Sequence, residues 1–599
     1  MKKRFLRMIA AILAAILMLS GCTGQGTTAA PPDGTTAAPE ESTPDETTEA
    51  PAPERKYKLS EDGEAIVDDV AFYAENPDDQ ARVFYEIFVG AFSDSDGDGV
   101  GDLKGIINRM DYLNDGDPKS GKSLGVEGIW LTPIFRSSTY HKYNVNDYYA
   151  IDGNFGSMDD LRDLIEACHA RGVKLILDLV INHTGAGNPW FKAFSEAHRN
   201  GEKENEYYDW YVYYTRGESE PEAGKTYAQL AGTDDYYECN FSGDMPELNY
   251  DVEAVREAVL DVAKYYLDLG IDGFRFDAAK YIYFNDNVRS AEFWDWYIGE
   301  LKAYKPDVYT VAEVWDGDGI TDRYYTSMNC FNFTMSQQSG RIAEAAAGGD
   351  VNVYARYVES YLNTVRSIRG DSMIVPFITN HDMDRAAGFL TAASGRNYVA
   401  ANLYLLGPGS PFLYYGEEIG MRGSRGGAQT DANRRLAMLW GDGDKVKDPS
   451  GSTYSSKNQT TDTVTSAKAE DESLLTYYKR LIMIRKANPE IARGEYTALN
   501  VSGSKAGGFV SVYDGSAVMV LHNTTANDVT IDLASLDLSG VKGMSLDASY
   551  FDLVAAVAGR GKEEFDDNDI PFYPGGTATL EGTVITISAQ TSVVLRKGK

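Results

Sequence analysis

Residues 251–277 read DVEAVREAVLDVAKYYLDLGIDGFRFD and hold one complete helix-to-strand step. Val252, Val255, Val259, Val262, Tyr266 and Leu269 recur at helical spacing and form one apolar stripe, which predicts a helix packed along a single face. Gly270 then supplies the stop, because glycine takes the left-handed conformation at a helix end without steric cost. Gly273-Phe274-Arg275-Phe276 is too short for a second helix and predicts a buried strand that ends on the charge of Asp277. A helix delivered straight into a buried strand is the repeating step of a parallel α/β sheet.

The same rhythm extends in both directions. Apolar runs at 83–88, 128–131, 174–180, 308–312, 330–333, 374–378 and 412–415 bring the predicted strands to eight, the number that closes a (β/α)8 TIM barrel. Between the second and third, Ser157 with Asp160 has the form of a capping box, Leu161, Leu164, Ile165 and Cys168 share a helical face, and Gly172 ends it. Residues 185–250 break the rhythm, being long, rich in Tyr, Glu and Gly and without strong helical periodicity. They are expected to form a subdomain inserted after strand three, beside the barrel's active face. The barrel, 58–184 and 251–490, is expected to finish with a helix at 474–487. Period-two alternation at 510–513, 518–521, 529–533 and 584–587 then predicts a C-terminal all-β sandwich over 491–599.

Ahead of the barrel, Lys2, Lys3, Arg4 and Arg7 precede an apolar core at 8–19 that is too short to span a bilayer, as in a secretory signal over 1–21. Leu19-Ser20-Gly21-Cys22 resembles a bacterial lipobox, which implies export, lipidation at Cys22 and anchorage to the cell membrane facing outward. Residues 22–57 are rich in Thr, Pro, Glu and Ala and hold almost no large apolar side chain, so a flexible linker is expected. The net charge of -34 disfavours nucleic acid, which would be repelled at long range, and points to a neutral substrate. The 40 Tyr, 23 Phe and 7 Trp suit the apolar faces of sugars. Cys168, Cys239 and Cys330 show no CxxC spacing, so buried free thiols are expected rather than a disulfide framework or thiolate metal site. No organic cofactor is implied, and a monomer is expected.

Barrel enzymes gather catalytic groups at the C-terminal ends of different strands. Here strand three leads into Asp178, Asn182 and His183, strand four ends in Arg275 and Asp277, strand five in Glu313, and strand seven in Asn380-His381-Asp382. Carboxylates on three separate strand ends are what glycoside hydrolysis with retention requires: one attacks, another arrives protonated, and the two stand about 5–5.5 Å apart. Arg275 and Asp277 leave the same face of a strand, so the guanidinium is expected to hold Asp277 ionised as the nucleophile. Glu313 follows an apolar run and precedes Val314-Trp315, surroundings that raise a carboxyl toward the range of a general acid.

Asp178-Leu-Val-Ile-Asn182-His183, Gly273-Phe-Arg-Phe-Asp277, Glu313-Val-Trp and Thr379-Asn380-His381-Asp382 together resemble, in order and in strand context, the four signature regions of the α-amylase family of glycoside hydrolases. The resemblance spans roughly residues 82–440. It implies Asp277 as nucleophile, Glu313 as acid and then base, and Asp382 as the third carboxylate, with His183 and His381 on the hydroxyls of the cleaved sugar and Tyr143 stacked beneath it. Arg275, Asn144 and Lys280 complete the expected substrate-binding set. Exo-acting relatives usually carry Asp after the stacking tyrosine, whereas this chain has Asn144, which argues against a strict exo pocket. Lys280-Tyr281 departs from the commoner Lys-His. Met245-Pro-Glu-Leu-Asn249 looks like the variant of amylases intermediate between neopullulanase and oligo-1,6-glucosidase.

Asp94, Asp96, Asp98, the Val100 position and Asp102 alternate with glycines, a pattern by which a loop wraps a hard cation, and calcium is the expected occupant. Asn182 resembles a ligand of a second, interdomain calcium. The expected activity is hydrolysis of α-1,4-glucosidic bonds in an α-glucan polysaccharide or oligosaccharide. Neopullulanase, α-glucosidase and glucan transglycosylase are the alternatives within the same chemistry. A binding protein that keeps the barrel without catalysis is the alternative from another class, and its mark would be a missing carboxylate.

Overall fold

The computed structural model describes residues 58–61, 63–390, 395–426, 429–470, 472–551, 553–565, 569 and 571–597. The expected signal, Cys22 and the linker lie outside the described residues. Among the described residues, no helix is long and apolar enough to cross a membrane.

Strands β1 (Phe84–Ile87), β2 (Gly128–Leu131), β3 (Lys174–Leu179), β4 (Gly273–Phe276), β5 (Tyr309–Ala312), β6 (Asn329–Cys330) and β7 (Phe412–Tyr414) form one sheet in the order β6-β5-β4-β3-β2-β1-β7, and every pairing in it is parallel. The eighth expected strand, 374–378, is not a regular strand. It fills the gap between β6 and β7, with the Asn332 N–H donating to the Val375 carbonyl at 3.0 Å and the Phe412 N–H to the Pro376 carbonyl at 3.0 Å. Pro376 has no N–H, so this segment closes the barrel without forming a full ladder.

Alternation along the strands sorts their side chains. Phe84, Trp130, Ile176, Tyr309, Val311, Phe331, Val375 and Phe412 pack together as one cluster. Tyr85, Ile129, Leu175, Leu177, Phe274 and Phe276 belong to the larger core shared with the helices. Gly273 opens β4 because a Cβ there would stand 2.0 Å from the Tyr309 carbonyl oxygen.

The helices follow from the sequence. Helix α1 (Met158–His169) starts with the expected capping box between Ser157 and Asp160 and buries Leu161, Leu164, Ile165 and Cys168. Helix α2 (Glu253–Leu269) ends on Gly270 at φ 107 and buries Val255, Val259, Val262 and Tyr266. The insertion differs from its reading in one respect, since it begins with a helix, α3 (Pro189–Asn200). That helix is capped by Asn188, buries Phe191, Phe194, Ala197 and His198 and ends on left-handed Gly201. A three-stranded antiparallel sheet of Tyr213–Thr215, Asp235–Glu238 and Tyr227–Gln229 follows. The His183–Glu247 bridge ties the insertion back to the end of β3.

Beyond the barrel's last long helix, Leu474–Ala487, a five-stranded sheet and a three-stranded sheet make up the C-terminal β region. Val510, Val512, Met519 and Leu521 pack between the sheets with Ile531, Ile585 and Ile587. The opposite face of the larger sheet, with Phe509, Val518 and Val520, joins the barrel core. Arg596 donates to Glu490 at 2.6 Å across that boundary. Cys168, Cys239 and Cys330 are buried free thiols.

Candidate active site

The pairing of β3 with β4 sets Arg275 directly beside Asp178. The guanidinium is fully buried, and its Nη1 donates to Asp178 Oδ1 at 2.8 Å and to Asp277 Oδ1 at 2.7 Å. Its Nη2 faces Glu313 Oε2 at 3.0 Å. Arg275 is therefore not a private counter-ion of Asp277, and one cation serves three carboxyl groups on three adjacent strands. It lies beneath the cavity and touches carboxylates, a correction to its expected contact with sugar.

Ala278, immediately after Asp277, sits at φ 45, a conformation that costs a side-chain-bearing residue roughly 1–2 kcal/mol. The turn aims its N–H at Glu313 Oε2, 2.9 Å away. With Oε2 facing two donors, Oε1 is left as the place for a proton. Burial lifts both Asp277 and Glu313 above the ordinary carboxylate range, and Arg275 opposes the lift in each. Asp382 adds to the lift of both, so the buried pair favours holding a proton between its two members.

Asp382 differs. Arg435 Nη2 donates to its Oδ1 at 2.5 Å, and His381 Nε2 stands 3.1 Å from its Oδ2. Burial works against its charge, but His381 and Arg435 outweigh it and hold the carboxyl well below its usual range. His381 is fully buried and lies parallel to the Tyr143 ring, with centroids 5.5 Å apart. It supports that ring instead of lining the cavity. His183 does line the cavity; its Nδ1 accepts from the Asn182 amide at 2.9 Å and its Nε2–H donates to the Tyr143 carbonyl at 3.2 Å. Burial pushes this imidazole down to about 4, so it is neutral.

Asp277, Glu313 and Asp382 open into one cavity of about 810 Å3, lined also by Tyr140, His141, Tyr143, His183, Phe241, Tyr281, Trp315 and Arg435. A second cavity of about 590 Å3 shares Trp315 and Asp382 with the first and continues past Gln337, Asp384, Phe389, Arg425 and Tyr454. Trp315 is 40% exposed and is braced by Phe333, with the rings stacked 4.9 Å apart.

Two more expected sugar contacts, besides Arg275 and His381, are placed elsewhere. Asn144 is buried, its amide donating to Asp244 Oδ2 at 2.5 Å, so it links the tyrosine-bearing hairpin to the insertion. Lys280 Nζ donates to the Trp315 carbonyl at 2.9 Å and to Asp316 at 3.1 Å, which tethers the loop carrying Trp315. Its neighbour Tyr281 lines the cavity in its place. Sequence reasoning missed His141, Phe241, Asp244 and Arg435. His141 stands only two positions before Tyr143, but the two are brought to one cavity by the turn through Lys142 at φ 65 and not by a local repeat.

Asp94, Asp96 and Asp102 each bring a carboxylate oxygen within 4.8 Å of the others. Three hard oxygen donors on one loop fit a calcium ion. Gly99 sits in that loop at φ 98, a left-handed conformation that favours glycine. Asp98 stands outside the cluster, its Oδ1 accepting instead from the Val100 N–H at 2.6 Å. Asn182 Oδ1 is buried without a partner among the described residues, while its amide is spent on His183. No group of three or more His, Cys, Asp or Glu side chains gathers around it among the described residues.

A parallel barrel with three carboxyl groups at its strand ends, two of them on one buried arginine, defines an acid and nucleophile site of the glycosidase kind. The family model "Alpha amylase, catalytic domain" matches residues 86–494, and the chain belongs to that family of glycoside hydrolases and transferases. It is 34% identical over 444 residues to "Alpha-amylase 3" of Dictyoglomus thermophilum, covering 74% of this chain and 84% of that protein. It is 27% identical to "Oligo-1,6-glucosidase" of Bacillus cereus, covering 75% and 91%. Among solved structures it is similar to Eubacterium rectale Amy13B, with a TM-score of 0.76, 32% identity and coverage of 88% and 97%.

Proposed function

We propose that this enzyme hydrolyses internal α-1,4 bonds of starch and maltooligosaccharides by double displacement. The supporting observation is that Asp277 and Glu313 share the Arg275 guanidinium while opening into the same cavity. Carboxyl groups held on one cation are neighbours, in keeping with direct attack on an anomeric carbon rather than the wider gap that leaves room for water. Asp277 attacks C1 as the Glu313 Oε1 proton passes to the leaving oxygen. The same Glu313 then takes a proton from the water that breaks the glycosyl ester. Asp382, kept anionic by His381 and Arg435, accepts from sugar hydroxyls and offsets positive charge on the ring. A calcium ion held by Asp94, Asp96 and Asp102 would brace the loop after β1. Export with a lipid on Cys22 would place the activity at the outer face of the cell membrane.

The continuation of the first cavity into the second, together with the burial of Asn144, favours a chain lying across the site over a closed exo pocket. Incubation with amylose, pullulan, maltose and sucrose, with early products followed by NMR, tests the reading. Mixed maltooligosaccharides released in the α configuration are expected from amylose. Inverted products, or activity confined to maltose or sucrose, would overturn it.

A further inference from the structure

His381 meets acceptors at both ring nitrogens. Its Nδ1 faces Glu86 Oε1 at 2.5 Å, and the His381 backbone N–H donates to the same oxygen at 3.3 Å. Its Nε2 faces Tyr143 Oη at 2.6 Å and Asp382 Oδ2 at 3.1 Å. The Tyr143 hydroxyl has a single proton, and that proton is donated to Asp178 Oδ2 at 2.9 Å. Tyr143 can therefore only accept from His381. A neutral imidazole would set a bare lone pair against a carboxylate on one side or the other, and neither the ring nor Glu86 is reached by solvent.

Resting on the proposed glycosidase reading, we infer that Glu86, on β1 and fully buried, is a positioning residue that keeps His381 an imidazolium, so that Nε2–H stays committed to Tyr143 and Asp382. The consequence runs further than one contact. Glu86, His381, Tyr143, Asp178, Arg275 and Asp277 form an unbroken chain of hydrogen bonds from the first strand to the nucleophile. If His381 lost its Nε2 proton, the Tyr143 hydroxyl would have to turn from Asp178 toward the ring, and Asp178 would lose its neutral donor beside Arg275. The charged and titratable groups that His381 senses are Glu86 on β1, Asp178 on β3, which burial lifts to about 7 against the pull of Arg275, Arg275 on β4 with Asp277 just after it, Asp382 next to it, and Arg435, whose Nε donates to the His381 carbonyl at 3.0 Å. Burial disfavours the charged ring, but Asp382 and Glu86 outweigh it and raise the imidazole to about 10.

Glu86→Gln is the informative variant, because the amide oxygen can still accept from Nδ1–H while the negative charge is gone. The protein has six histidines, few enough for 15N-histidine NMR with His381 assigned by its loss in His381→Gln. In the unsubstituted protein both His381 nitrogens are expected to be protonated at pH 7 to 8. In Glu86→Gln the His381 titration read by NMR should move down by about one to three pH units. A singly protonated His381 ring at pH 7 in the unsubstituted protein would overturn the inference without any variant. So would a His381 titration that is the same with Glu86 and with Gln in a variant whose thermal melt is intact. The NMR reading needs no substrate, so a wrong substrate assignment would leave it standing.

Discussion

Replacing Glu313 by Gln separates the two carboxyl roles more sharply than any other single change. The glutamine carbonyl oxygen can take the place of Oε2, which now faces the Ala278 N–H at 2.9 Å and Arg275 Nη2 at 3.0 Å, so the amide NH2 replaces Oε1 and the geometry survives. What disappears is a transferable proton. A positioned general acid contributes about 10²–10⁴-fold, or roughly 3–5.5 kcal/mol of barrier, so kcat on maltoheptaose should fall by about that factor with little change in KM. An aryl α-maltoside whose phenolate leaves without help needs no such proton. On that substrate the first step should be retained and should appear as a burst of phenolate, followed by slow hydrolysis of the glycosyl ester. Asp277→Asn removes the attacking atom, so both substrates should fail and no burst should appear. Stopped-flow release of the phenolate reads both variants. Equal losses of Glu313→Gln on the natural and the activated substrate would show that Glu313 is not the acid, whatever the size of those losses.

Three further outcomes are expected. Trp315→Ala removes a ring braced between the two cavities and should raise KM for maltoheptaose by about tenfold, roughly 1.4 kcal/mol, with a smaller effect on maltotriose; equal effects on both would deny the second cavity a role in chain binding. His522 lies in the β region far along the chain from the catalytic groups, and burial pushes it down to about 3, so its stability contribution is present above the unfolded value near 6.5 and is lost as pH falls toward 3. His522→Asn should therefore gain on the parent by about 1.4 kcal/mol per pH unit below 6.5 in urea unfolding, and a difference that stays constant with pH would refute this. Excess chelator should lower the melting temperature of the parent but not of Asp94→Asn, because a cation bound only by the folded loop stabilises by mass action; identical shifts in both would place the ion elsewhere.

The parts of the fold that sequence made legible are those in which a local pattern carries the whole cause. The stripe of α2 with Gly270 behind it, the capping box of α1, and carboxyl groups at the ends of apolar runs each depend on residues within a few positions of one another. The segment 374–378 shows where such reading thins, since its apolar run predicts a strand but Pro376 removes a ladder donor. Helix α3 was legible in principle, as Phe191, Phe194 and His198 mark its buried face, but the surrounding Tyr, Glu and Gly residues hid that short stripe.

Contacts made across the chain were not legible, and they decide what the candidate site residues touch. Asn144 stands next to the cavity tyrosine in sequence, yet its amide answers to Asp244, 100 positions away. The hairpin that carries it turns through Lys142 at φ 65, whose ammonium meets Asp152 at 2.9 Å in the interior, and that turn directs Tyr143 to the sugar side and Asn144 to the insertion. Lys280 likewise points back to its own barrel loop, where the Trp315 carbonyl and Asp316 take up its ammonium. Glu86 is the extreme case: in sequence it is one acid inside an apolar run, easily taken for a strand-end irregularity. Its partner lies 295 residues on, and only closure of the barrel brings the two within 2.5 Å. An amide next to Tyr143 therefore cannot by itself decide between endo and exo action, because specificity depends on which side of a strained turn the side chain leaves.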